Sequence, residues 1–263
     1  THMPRALEQI LEDKEEAALK ADLEQIQQEC RKEHWLFSIN HPFLYIWKWL
    51  YGDLRLDGVH CLEIINDPTY EADPEAKAGE ANQRAVALAD LLWADGHRIC
   101  AIGGSDSHNT LEERYPGATE PSVPGDPATF VYMEDLSAEH LLEGVRSCNC
   151  YVTRHCRIET GLLFGGQLPE DKEELPYRIC LRGQKEKPEI FYLHNGKRVD
   201  CRVTGREDAW EAAGTVRLTE EAYQWIRFGA EAKDGGFLFY GNAITRGTGK
   251  QKLRTFGEAV EQL

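Results

Sequence analysis

Residues 101–110, AIGGSDSHNT, run from an apolar pair through two glycines to Asp106, Ser107 and His108. Joined to Arg98, Ile99 and Cys100, they read as a strand that ends in a carboxylate and an imidazole two positions apart. Residues two apart share a face in extended geometry, so the acid and the imidazole address the same space. Two earlier runs end in a similar way: WLFSINH (35–41) stops at Asn40 and His41, and GVHCLEIIN (58–66) carries Glu63 and stops at Asn66. Between the second and third runs, EANQRAVALADLLWADG (80–96) groups Val86, Leu88, Ala89, Leu92 and Trp93 at helical spacing, with Gly96 as a stop signal. Strands alternating with helices predict a parallel α/β sheet or barrel, in which the carboxyl ends of the strands converge on one mouth.

Outward from this centre, residues 5–33 form one long helical pattern, ATFVYM (128–133) reads as a strand, and a short helix is expected from Ser137 through Val145. Beyond about residue 160 the pattern changes to short β-rich runs between Gly, Pro and charged turns, with Asn195-Gly196 as a hairpin signal. The glycines, proline and charges of GLLFGGQLPEDKEE (161–174) place the change of character nearby. Two domains are expected, an α/β unit over 4–158 and a small antiparallel, sandwich-like β unit over 159–263.

The chain has 263 residues and a formal net charge of −15, from 45 acids against 30 bases. Such a balance repels phosphate backbones, so nucleic acid is not an expected partner. Neither a membrane-spanning run nor a signal-like start is evident, and a cytoplasmic protein is expected. Thr1 and His2, in THMPR, have the look of a cloning scar and stay outside the argument. Eight cysteines, at 30, 61, 100, 148, 150, 156, 180 and 201, lack the spacing of a secreted disulfide framework. Cys148, Cys150 and Cys156 form C-x-C-x5-C, which matches no zinc-binding spacing.

Imidazole nitrogen and carboxylate oxygen are the donors that zinc, manganese and iron accept. His41, Asp106 and His108, at corresponding strand ends, are therefore the candidate metal ligands, and Asp106 and His108 the candidate catalytic pair. Singly, each also fits a strand-ending residue satisfied by backbone hydrogen bonds. Glu63 faces either the interior or a basic partner. Phe43, Tyr45, Trp47 and Trp49 line a pocket or pack as lid or core. The G-x-S-x-G elbow, the P-loop and the G-x-G-x-x-G fingerprint are all absent from the sequence.

INHPF, LEIIN, AIGGSDSH, GDPATFVY and LLEGVRSCNCYVT, in this order, resemble the later motifs of the polymerase and histidinol phosphatase (PHP) superfamily, most closely its CehA/McbA-like branch. The similarity covers roughly residues 30–160, and WIRFGAEA followed by GNAIT resembles that branch's appended β domain. The resemblance implies a distorted (β/α)7 barrel, two or three divalent metal ions at its mouth, and hydrolysis of phosphate esters or related bonds in a small-molecule substrate. It places His41 on the ligand of the family's His-Pro motif, and Asp106 and His108 on its final Asp-x-His pair; Asn66 matches a polar position after a strand. The chain departs from the family in having no His-x-His segment ahead of His41. Either it is the later part of a longer protein, giving a partial barrel, or the first half of the barrel has been lost. A metal-dependent, phosphoesterase-like hydrolase is the expectation, with a non-catalytic binding or interaction module as the alternative.

Overall fold

A computed structural model of the chain describes residues 16–70, 78–108, 110–114 and 117–263. The helical pattern at the amino end gives α1 (Glu16–Lys32); the rest of that pattern, residues 5–15, lies outside the described residues. Three parallel strands follow, β1 (Ser38–Ile39), β2 (Cys61–Asn66) and β3 (Cys100–Gly104), side by side in that order. β2 is buried along its whole length, which is why its sequence is a nearly continuous apolar run. The 80–96 pattern forms α2 (Ala78–Asp95), whose Leu88, Ala89, Leu92 and Trp93 face the core beneath the sheet.

Gly96 ends α2 on left-handed backbone, with φ at 91°. Its N–H bonds to the Trp93 carbonyl and that of His97 to the Leu92 carbonyl, both at 2.9 Å, a glycine-terminated helix end of Schellman type. A side chain at 96 would also collide with the backbone of Gly249, its Cβ lying 2.3 Å from the Gly249 Cα.

β4 (Ala128–Val131), α3 (Ala138–Arg146) and β5 (Cys150–Thr153) come next; Ser137 caps α3 by accepting the His140 N–H. β4 and β5 pair with each other antiparallel and do not extend the parallel sheet. Among the described residues the parallel strands therefore form an open three-stranded sheet, and they close no barrel. The described residues make a mixed α/β structure with three sheets.

The remaining strands are β6 (Arg157–Thr160), β7 (Gln167–Leu168), β8 (Glu174–Arg182), β9 (Glu189–His194), β10 (Lys197–Asp200), β11 (Val203–Arg206), β12 (Ala209–Arg217), β13 (Gln224–Glu231), β14 (Phe237–Gly241) and β15 (Ile244–Arg246). Eight strands form one sheet along the path β10-β9-β13-β14-β5-β4, with β15 joining β13 to β7; four more follow the order β11-β12-β8-β6. Asn195 and Gly196, at φ 51° and 81°, turn β9 into β10 as the hairpin signal predicts. Ile179 and Leu181 of β8 share a core with Phe228 of β13 and Phe239 of β14, so the two antiparallel sheets pack through one apolar layer. The larger sheet takes β4 and β5 from before residue 158 and its other strands from beyond it.

Buried polar contacts join this sheet to the parallel unit. Arg227 of β13 grips Asp90 of α2 with two hydrogen bonds of 2.6 and 2.8 Å, its side chain only 4% exposed. Asn242, after β14, turns its amide on β3: Ala101 N–H donates to Asn242 Oδ1 at 2.7 Å, and Nδ2 donates to the Ala101 carbonyl at 2.9 Å and the Cys150 carbonyl at 3.0 Å. The carboxyl end then lies back on the first unit as α4 (Phe256–Val260), whose Phe256 N–H bonds to Leu54 O at 2.9 Å. Among the described residues no helix is long and apolar enough to cross a membrane.

Asn242→Ala would leave the buried Ala101 N–H and carbonyl without these contacts, each worth about 1–3 kcal/mol when orphaned, while the Cys150 carbonyl keeps the residue-242 N–H at 3.3 Å. The expected result is a loss of about 3 kcal/mol of unfolding free energy, checked by urea denaturation at constant slope.

Candidate active site at the carboxyl edge of the parallel sheet

Each parallel strand ends in a non-glycine residue held on left-handed backbone. His41 follows β1 at φ 34°, Asp67 follows β2 at φ 26°, and Asp106 follows β3 at φ 47°. Such conformations cost free energy for residues with a Cβ and gather where a chain must aim a side chain.

Glu63 sits between them and is buried, only 6% exposed. Its Oε2 accepts the His41 N–H at 2.7 Å and the Asn66 Nδ2–H at 3.2 Å. A Cβ built on Gly104 would come 3.8 Å from its Oε1, which places the carboxylate beside the end of β3. Burial pushes the Glu63 carboxyl above its ordinary value; the His41 N–H and charge and the Asn66 amide pull the other way, and the Asp106 charge adds to the rise. Asp67 is raised too, again by burial first, with Thr69 and Ser122 opposing and Asp106 adding. Asp106 is thus close enough to be felt by both buried acids.

His41 Nδ1 lies 3.0 Å from the Trp47 carbonyl, which can only accept, so Nδ1 carries the proton and Nε2 is the basic nitrogen of the neutral ring. Asp106 and His108 pair directly, Asp106 Oδ1 accepting from His108 Nε2 at 3.0 Å. The imidazole is 74% exposed and the carboxylate 37%, so the pair stands at the rim above Glu63. Phe43 and Trp49 turn inward, Phe43 stacking on Phe256 at 6.4 Å and Trp49 meeting Phe37 edge-on at 6.2 Å. Tyr45 and Trp47 stay exposed.

The loop after β3 is held over the same edge. Ser122 Oγ donates to the Ser105 carbonyl and Ser107 Oγ to the Ser122 carbonyl, both at 2.7 Å, while Thr119 N–H reaches the Thr69 carbonyl at 2.9 Å. Below, Asn82 of α2 closes the end of β2 with a reciprocal amide pair, accepting the Asn66 N–H at 2.9 Å and donating to its carbonyl at 3.0 Å.

The structure brings Asp106 and His108 into contact; His41, at the end of β1, meets Glu63 through its backbone N–H and turns its imidazole to the Trp47 carbonyl. Sequence reasoning left Glu63 open and missed Asp67, Asn82 and Ser122. The Asp-Pro that follows Asn66 was the available signal for Asp67; Asn82 and Ser122 act through contacts distant in sequence.

The donor types suit a divalent cation, but their arrangement does not make a ready cation site. Among the described residues no three His, Cys, Asp or Glu side chains come together as a group able to hold a metal ion. Two open clefts, of about 560 and 610 Å³, lie elsewhere, around Gln184–Pro188 and around Glu170–Glu174. No protein-family pattern matches the chain, and no curated protein sequence matches it.

Because the folded carboxyl of Glu63 ionises above its usual range, the stability tied to its protonated form is present at low pH and lost as pH rises through the folded value. Gln at 63 keeps an oxygen for both donors and removes the charge. Thermal melts from pH 4 to pH 8 are expected to show Glu63→Gln gaining on the wild type as pH rises, with the two closest at the acid end.

Proposed function

We propose that this edge is a hydrolytic centre for a small phosphorylated or ester substrate, in a chain that forms part of a (β/α)7 barrel of the PHP type. The observation that carries the reading is the arrival of His41, Glu63, Asp67, Asp106 and His108 at one edge from three parallel strands, three of them on left-handed backbone. The ordered resemblance of INHPF, LEIIN and GGSDSH to the family's later motifs supports it.

In this reading His108 is the general base. With Nε2–H held by Asp106, Nδ1 of the neutral ring takes a proton from an attacking water, and the Asp106 carboxylate stabilises the imidazolium that results. Later the same nitrogen returns the proton to the leaving oxygen. Glu63 fixes the backbone of His41, and the Ser105–Ser122 lacing keeps the loop that carries Asp106 in place. Zinc, manganese or iron, with His41, Asp106 and His108 as ligands, belongs to this proposal on donor chemistry and on the resemblance. A bound cation would supply the activated water in place of the His108 base, because His108 would exchange its bond to Asp106 for the metal, and further donors would complete the shell.

A second reading, a binding or interaction module without turnover, is favoured by the lack of three convergent donors among the described residues. The two separate on hydrolysis of p-nitrophenyl phosphate and its diester, with and without added zinc, manganese or iron. Turnover is expected, and Asp106→Asn and His108→Ala are each expected to lower it by a factor of about 10² to 10⁴, the range for a lost general base, with unchanged unfolding midpoints. Activity that survives both substitutions, or no turnover under any of the metals, would give the second reading the field.

A further inference from the structure

Four thiols meet behind the candidate site, where β3 lies against β5. Cys61 of β2, Cys100 of β3, Cys148 and Cys150 form a small buried cluster packed by Ile102, Val131 and Val145. Within it the Cys100 and Cys150 sulfurs stand 3.0 Å apart, about 1 Å beyond the covalent separation of about 2.05 Å. Asn242 Nδ2–H, the same amide that grips Ala101, lies 3.2 Å from the Cys150 sulfur. The other cysteine of the C-x-C-x5-C run is engaged elsewhere: Cys156 Sγ–H donates to the Leu238 carbonyl at 3.2 Å. The four thiols are not arranged as a metal-holding group.

We propose that Cys100 and Cys150 are a redox pair, forming a reversible disulfide that ties the parallel sheet to the eight-stranded sheet. The oxidant is a small hydroperoxide. Cys150, whose developing thiolate faces the Asn242 N–H and the Cys100 S–H, attacks the peroxide oxygen; the O–O bond breaks, the alcohol or water leaves, and Cys150 becomes a sulfenic acid. The Cys100 sulfur then attacks the Cys150 sulfur, the S–S bond forms and water departs. Two thiols lose two protons and two electrons, and ROOH becomes ROH and water.

The 3.0 Å between the two sulfurs sets the partner choice. Cys100 has a single S–H to share among Cys148, Cys150 and Cys61, and hydrogen bonding with these neighbours, with burial behind it, holds its thiol well above the ordinary range. Cys148 is lowered, by the hydrogen bond from Cys100 first and the Arg98 charge last, and burial opposes both. A thiolate on Cys148 or Cys150 therefore finds a donor in place. Neither Cys100 nor Cys150 has exposed surface, so oxidant enters through local opening and the reaction is slow beside that of a surface thiol. Once formed, the bond closes a loop between positions 50 residues apart that contains Asp106 and His108, so oxidation restrains the segment that carries the candidate pair. The redox pair stands independently of any catalytic role for that segment.

The folded protein is treated with millimolar hydrogen peroxide, alkylated in denaturant and weighed by mass spectrometry. The expected product has lost two hydrogens, regains them with dithiothreitol, and carries six alkylated thiols in place of eight. Cys148 and Cys150 fall on one tryptic peptide, so fragmentation across Asn149 of the wild-type cross-linked peptide assigns the bond without any substitution. Cys148→Ser is expected to keep the cross-link and Cys150→Ser to lose it. Eight alkylated thiols after oxidation, or a bond that maps to Cys148 or Cys61, would overturn the assignment.

Discussion

The structure turns on one side-chain amide standing in for a strand. β3 has β2 on one side, and on the other Ala101 presents an N–H and a carbonyl that no fourth parallel strand takes. Asn242 supplies both halves of a peptide group at once, at 2.7 and 2.9 Å, and reaches on to the Cys150 carbonyl. Thr129 Oγ1 does the same one step along, lying 2.9 Å from the Gly103 N–H and 2.8 Å from its carbonyl. A polar edge that would be costly to bury is thereby satisfied, and the β-rich part of the chain is fixed in register against the parallel sheet.

The candidate site inherits its order from this arrangement. With β3 locked, the turn after Gly104 holds Asp106 on left-handed backbone, and Ser105 is laced to Ser122. Asn82 repeats the amide device at the end of β2, which sets Asn66 and, through it, one of the two donors to Glu63. Buried acid, amide pairs and strained backbone thus form one continuous support beneath an exposed Asp106–His108 pair.

Much of this was legible in the residues themselves. The period of 80–96 and its terminal glycine gave α2 to within a few residues, and the Asn195-Gly196 turn emerged as written. Polar residues at the ends of three apolar runs pointed to a common edge, because parallel strands must end on the same side. The pairing of β4 with β5 in a different sheet was hidden, since their apolar runs suit a parallel or an antiparallel partner equally well. Asn242 gave no warning for a related reason: its partner, Ala101, is 141 positions away, and nothing in GNAIT separates a structural amide from an ordinary turn residue.

The distance between Asn242 and Ala101 also has a meaning in time. A ribosome adding about 5–20 residues per second needs roughly 7–30 s to travel from one to the other. Throughout that interval the newly made β1-β2-β3 segment carries an uncovered polar margin, and Leu253 and Phe256, which complete its apolar core, have not yet been synthesised. Assembly of the first-made portion must therefore wait for the last, and a nascent chain stalled in between is one that chaperones would be expected to hold.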